Sequence, residues 1–256
     1  MFIKKFKRIL IGLGILLLIV VGYLVYRGVC IGTAYKAKTL CSGVFVSMRT
    51  PESVLSQDLV VDDLSILKYF NADINFTSQT VTSNLFGLAK RTALYRKGLG
   101  CTLVIDTTEE KLRAQTAGFD SPVKQPRKDL LWPEGDLVRT ESLPREIKKE
   151  LLGRAVEEVF SEPDPERLRR TRAVVVVYRG RIIAERYAPG ITADTSLIGW
   201  SMTKSVMNAL TGIMVREGKL SIHDTALLPQ WRAPDDPRSS ISVDHLLRMT
   251  SGLKFD

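Results

Sequence analysis

The sequence predicts an α+β protein carried on an N-terminal membrane-spanning helix, and three observations lead there. Ile9 to Tyr26 is an apolar run without a single charge. Residues 41–105 alternate Thr, Val and aromatic residues with Gly, Asn and Ser, the texture of short strands and turns. From Pro144 onward the pattern is helix, hairpin, helix, and not the strand–helix alternation of a doubly wound sheet. Four segments follow: a tail and anchor over 1–27, a strand-rich region over 28–105, a linker over 106–142, and an α+β unit over 143–256.

The anchor comes first. Eighteen residues at about 1.5 Å each reach about 27 Å, close to the hydrocarbon thickness of a bilayer. Lys4, Lys5, Lys7 and Arg8 precede the run and only Arg27 directly follows it, which predicts a cytoplasmic N-terminus. The expected location is the inner (cytoplasmic) membrane, single-pass, with the main domain periplasmic or extracellular. A cleaved signal peptide would have a shorter core and a small-x-small site, for which Gly32-Thr-Ala34 is a poor candidate.

Those same cations supply nearly half of the formal charge of +9. Most other basic residues are interleaved with acids, which argues against a nucleic-acid partner. Arg167-Leu-Arg-Arg-Thr-Arg172 is the exception, and it reads as the basic end of a helix. Outside the cytoplasm Cys41 and Cys101 can pair, closing a loop of about sixty residues worth about 4 kcal/mol. Two separate buried thiols are the alternative.

The strand-rich region contains three candidate stretches, "SGVFVSM", "TSQTVTSNLFGLAKRTALYR" and "GLGCTLVI". The linker is charged and punctuated by Pro122, Pro126 and Pro133. Pro144 suits a first helical residue, and Ile147, Leu151, Ala155, Val156 and Val159 give an amphipathic helix to about Phe160. Ala173 to Tyr178 and Arg181 to Tyr187 are β-branched runs separated by Arg179-Gly180, a hairpin with a two-residue turn.

The next helix carries the chemistry. It starts near Ser201 and ends at Gly218. Met202, Val206, Leu210, Ile213 and Met214 share an apolar face, opposite Ser201, Lys204, Ser205, Asn208 and Gly212. Lys204 is the lone charge from Ser201 to Val215, which predicts burial on both faces and a lysine pKa lowered by desolvation. A serine needs a base within hydrogen-bond reach, and a residue three positions on lies one turn away. The alternative is that Ser201 merely caps the helix. Spacing alone decides nothing, because Ser65/Lys68, Ser121/Lys124 and Ser251/Lys254 repeat the tetrad.

"GWSMTKSVMNALTGIMVREGKLSIHD" followed by "ISVDHLLRMTSGL" resembles the β-lactamase-related serine hydrolases. That group includes class C β-lactamases, DD-peptidases, family VIII-type esterases and 6-aminohexanoate-dimer hydrolases. The resemblance spans about Glu146 to Asp256 and implies a β-lactamase/transpeptidase-like fold, incomplete at its C-terminus. It implies Ser201 as the acylated nucleophile, Lys204 as the residue that helps deprotonate it, and a small-molecule amide or ester as substrate. It implies no cofactor and no metal. The family's Tyr-x-Asn and Lys- or His-x-Gly elements have no counterpart after Ser201, and His223 and His245 read as structural. The expectation is therefore the N-terminal part of such a hydrolase, from a truncated or interrupted gene and without turnover. An anchored acyl-accepting sensor and an inert fragment are the alternatives.

Overall fold

The computed structural model describes residues 2–59, 62–115, 127–139, 143–233 and 235–254. It divides into two compact units, residues 1–197 and 198–256.

Helix α1 runs without a break from Phe2 to Cys41. Its two halves differ in exposure. Ile11 to Gly28 are exposed throughout, whereas Thr33, Ala37, Leu40 and Cys41 are buried. The apolar run thus extends by more than three turns into a helix that serves as the spine of the following module. This is a helix long and apolar enough to cross a membrane.

A four-stranded antiparallel meander packs on that spine: β1 Asn71–Asn75, β2 Thr80–Leu85, β3 Leu88–Arg96 and β4 Gly100–Leu103. Val81 and Ala93, which are paired across β2 and β3, are fully buried together with Ala37, Leu40, Val54, Leu59 and Leu67. A disulfide joins Cys41, the last residue of α1, to Cys101 on β4. Cys30 is a free, buried thiol. Two glycines set the closeness of the packing. A Cβ on Gly32 would stand 2.8 Å from the Phe70 ring, and one on Gly43 would overlap the Val54 side chain.

Several buried polar groups tie this module together, although the Nε atoms of Arg49 and Arg96 are buried without a partner. Lys36 Nζ donates to the carbonyls of Leu67 and Phe70 at 2.9 and 2.5 Å. These close a 3-10 helix over Asp62–Tyr69. Asp58 is gripped from both sides, by Arg49 at 2.6 Å and Arg172 at 2.5 Å. The second contact ties the approach to β5 back onto the spine module, across more than a hundred residues of sequence. Burial pulls the Arg172 guanidinium below its usual pKa, opposed by the Asp58 carboxylate.

Several expectations need correction here. "SGVFVSM" is no strand: Ser42–Val46 continues α1 as a π-helical turn, and Pro51–Val54 forms α2, capped by Thr50. Val44 packs inward from that turn, so β-branched content was satisfied by core contact and not by a ladder. Within the linker, Glu109–Ala114 forms α3, capped by the Thr108 hydroxyl. Pro122 and Pro126 lie outside the described residues.

Helix α4 spans Lys149–Phe160 and starts later than Pro144, whose carbonyl closes a turn with the Ile147 amide at 2.9 Å. The basic stretch 167–172 is not a helix end either. It follows α4 in a loop, where Glu162 accepts hydrogen bonds from the Arg169 and Arg170 amides. The hairpin forms over β5 Ala173–Tyr178 and β6 Arg181–Tyr187, with Arg179 and Gly180 both left-handed at φ +47° and +73°. That is the backbone a two-residue turn requires. Arg186 spans from β6 to α4, pairing with Glu157 and lying 4.3 Å from the Phe160 ring centroid.

Candidate active site

Within residues 198–256, a 3-10 turn over Trp200–Met202 leads into α5, Thr203–Arg216. The serine sits on the turn and not inside the regular helix. Trp200, immediately before it, holds a left-handed φ of +44°, a conformation costly for a bulky residue and common where a side chain must be aimed. The Met202 amide closes the turn onto the Gly199 carbonyl at 2.9 Å.

Capping does not explain Ser201. No side-chain cap bond is made at the start of the turn or of α5. Instead Lys204 Nζ donates to Ser201 Oγ at 3.0 Å. Two of the other tetrads fall among the described residues. Lys68 lies over the Tyr69 ring, the Ser251 hydroxyl accepts from the Leu253 amide, and Ser121 and Lys124 lie outside the described residues. By position Ser201 belongs to the first turn, where amide N–H groups have no intrahelical partner and the dipole favours an anion.

The C-terminal end of α5 follows the sequence closely. Gly218 is left-handed at φ +68°, its amide bonds Val215 O, and the Lys219 amide bonds Met214 O. That is a Schellman closure.

Burial departs from expectation. Met202, Val206, Leu210, Ile213 and Met214 are 41–68% exposed, and Lys204 is exposed on the other face. The burial expected of Lys204 is therefore not found. In this unit Trp231, Ile241 and Val243 are buried, in and beside the 3-10 turns Pro229–Trp231 and Pro237–Ser240, and no described element of residues 198–256 covers the α5 stripe.

An open cleft of about 910 Å³ lies beside the serine, walled by Trp200, Ser201, Lys204 and Asn208 on one side and Asp244, Leu247 and Arg248 on the other. The far wall is α6, Val243–Leu247, and the turn after it. His245 is structural. Its Nδ1 accepts from the Ser242 amide while its own amide donates to Ser242 Oγ, a reciprocal cap. His223 likewise sits in a turn, donating its amide to Ser221 Oγ. Asp244 and Arg248 form an ion pair at 2.9 Å on the cleft wall. Sequence reading passed over both; their i,i+4 spacing beside the Thr-Ser-Gly-Leu turn was the available signal. Asp236 caps the Pro237–Ser240 turn, and hydrogen bonds from Arg238 pull its carboxyl down to about 2.

No curated protein and no solved structure matches the chain. A family does. Residues 155–256 match the protein-family model described as Beta-lactamase. The match begins within α4 and contains the hairpin, α5 and α6, so this part of the chain is similar to the β-lactamase family and consistent with the β-lactamase-related serine hydrolases.

Proposed function

We propose that the chain is a membrane-anchored serine hydrolase that cleaves an amide or ester through an acyl-enzyme at Ser201. One observation carries the reading: the 3.0 Å hydrogen bond from Lys204 Nζ to Ser201 Oγ at the amino end of a fourteen-residue helix. As the neutral amine, Lys204 would take the Ser201 proton while Oγ attacks the substrate carbonyl carbon. The resulting oxyanion would meet the Ser201 amide and the helix dipole. Collapse breaks the scissile bond, the departing amine or alcohol recovers the proton, and water then releases the acyl group. The Asp244–Arg248 pair on the cleft wall offers polar contacts to whatever substrate enters. Ile9 to Tyr26 would hold the N-terminus inside and the remaining chain on the outer face of the cytoplasmic membrane.

A fluorophosphonate or a fluorescent penicillin tests this directly. The expected outcome is an adduct on Ser201 that Ser201→Ala abolishes and Lys204→Ala slows by about a hundredfold, the range of one general base. Turnover of nitrocefin or p-nitrophenyl esters by residues 1–256 is expected to be unmeasurable. Serine and lysine both stand in solvent, where one hydrogen bond contributes only about 1 kcal/mol. Extending the chain with the family's Tyr-x-Asn and Lys- or His-x-Gly elements should restore turnover, and an adduct that stays stable even then favours an acyl-accepting sensor. Labelling that survives Ser201→Ala means the nucleophile lies elsewhere.

A further inference from the structure

The spine module carries a second apolar feature that the hydrolase reading does not use. The turn between β2 and β3 is Phe86-Gly87, closed by the Leu85–Leu88 pair and by Asn84 Oδ1, which accepts from the Gly87 amide at 2.8 Å. Phe86 holds φ +49° and Gly87 φ +82°. Asn, Asp or Gly ordinarily fills the first of these positions, because a side chain such as Phe is strained there. Phe86 is nonetheless 79% exposed and Leu88 68%. A strained, solvent-facing phenylalanine at a hairpin tip contributes nothing to the core.

Its place along the spine says what it meets. Thr33 Oγ1 on α1 donates to Ala89 O on β3 at 2.8 Å. Farther on, Cys41 is bridged to Cys101, the partner of Tyr95. Strand β3 therefore runs alongside α1 in the same direction, and its beginning points back toward the apolar run. From Thr33 to Tyr26 the helix descends about 10 Å at roughly 1.5 Å per residue. From Ala89 the strand descends two steps to the turn, at most about 7 Å at roughly 3.3 Å per residue, because Phe86 and Gly87 share one level across the hairpin. The Phe86–Leu88 tip thus stands near the level of Gly28 and Val29, less than one helical turn past the end of the apolar run. Ile31, on the exposed side of α1, is 68% exposed, and Lys90 lies exposed one step above the tip.

We propose that the Phe86–Leu88 tip inserts into the outer interface of the lipid bilayer beside α1, a second contact that fixes the tilt of the module. This rests on the reading of α1 as a membrane span. Apolar side chains at the tip and a cation just above them match the acyl–headgroup boundary. A tip fixed in the interface would set the height and orientation of the spine, which a single helix cannot do because it can rotate and tilt freely.

The test uses the full chain with Cys30→Ala, the Cys41–Cys101 bridge intact, and one environment-sensitive fluorophore on a new cysteine. Three positions are compared: Tyr23→Cys in the apolar run, Phe86→Cys at the tip, and Phe76→Cys. Phe76 packs edge-on against Phe45, just past Cys41, at the far end of the module. In phosphatidylcholine nanodiscs containing doxyl-labelled lipid, quenching at positions 23 and 86 should exceed that at 76 by at least about threefold. Quenching at 23 but not at 86 overturns the inference and leaves the anchor standing. Quenching at neither overturns both. Amide exchange at Phe86–Ala89 gives a label-free check: slowing in nanodiscs relative to detergent supports insertion, and equal rates in the two overturn it.

Discussion

The spine module and the serine segment are built on opposite principles. Around α1, contacts join residues far apart in sequence: Thr33 to Ala89, Lys36 to Leu67 and Phe70, Cys41 to Cys101, Arg172 to Asp58. In residues 198–256 the described hydrogen bonds are mostly local, as in Lys204 to Ser201, Arg248 to Asp244 and His245 to Ser242. The first region excludes water from a continuous core. The second aims side chains through caps and turns while leaving the α5 stripe exposed. Local bonds can set the geometry of a reactive pair, but only long-range burial resists opening. Position and stability therefore lie in different parts of this chain.

Breaking the long-range links should expose that difference, starting with the disulfide. Replacing Cys41 and Cys101 by alanine should cost about 4 kcal/mol, the entropy of a sixty-residue loop. Amide exchange should then accelerate across β2 and β3 and stay unchanged across α5; acceleration in α5 would show that the two regions share one cooperative unit. Asp58→Ala comes next. It leaves Arg49 and Arg172 facing each other without their carboxylate and should cost about 3 kcal/mol by denaturant unfolding of the spine module. It should also free the loop before β5, read as faster proteolysis near residues 161–172. The smallest effect belongs to the serine segment. Gly218→Ala forces a side chain into a left-handed position and should cost about 1 kcal/mol, confined to exchange at the end of α5. A loss spreading into β1–β4 would contradict the locality of that segment.

How far the sequence could be read follows the same division. Features fixed by neighbours in the chain were legible. Arg179-Gly180 specified its turn, Gly218 ended α5, and the apolar run predicted a long helix. The Ser201–Lys204 contact follows from three-residue spacing on a helical turn, and the family resemblance agrees with the match over residues 155–256. Features that depend on what a segment meets were not legible. "SGVFVSM" reads as a strand and is a helical turn, because Val44 found a core to enter. The small polar face of α5 predicts burial, yet what covers a helix is decided by other elements and not by its own pattern. The basic stretch at 167–172 looked like a helix end, but Arg172 was recruited by a carboxylate at position 58.

The sequence by itself thus determined an apolar run long enough to cross a membrane, the order helix–hairpin–helix, and a serine and lysine one turn apart. Each rests on periodicity or spacing over a few residues, which backbone geometry converts directly into structure. Only the tertiary structure decided that α1 continues past the apolar run as the spine of a disulfide-closed module. It also decided that Lys36 is buried on backbone carbonyls and that β3 begins on the side of the apolar run. Those outcomes depend on which distant surfaces exclude water from one another, and no short window of sequence contains both partners.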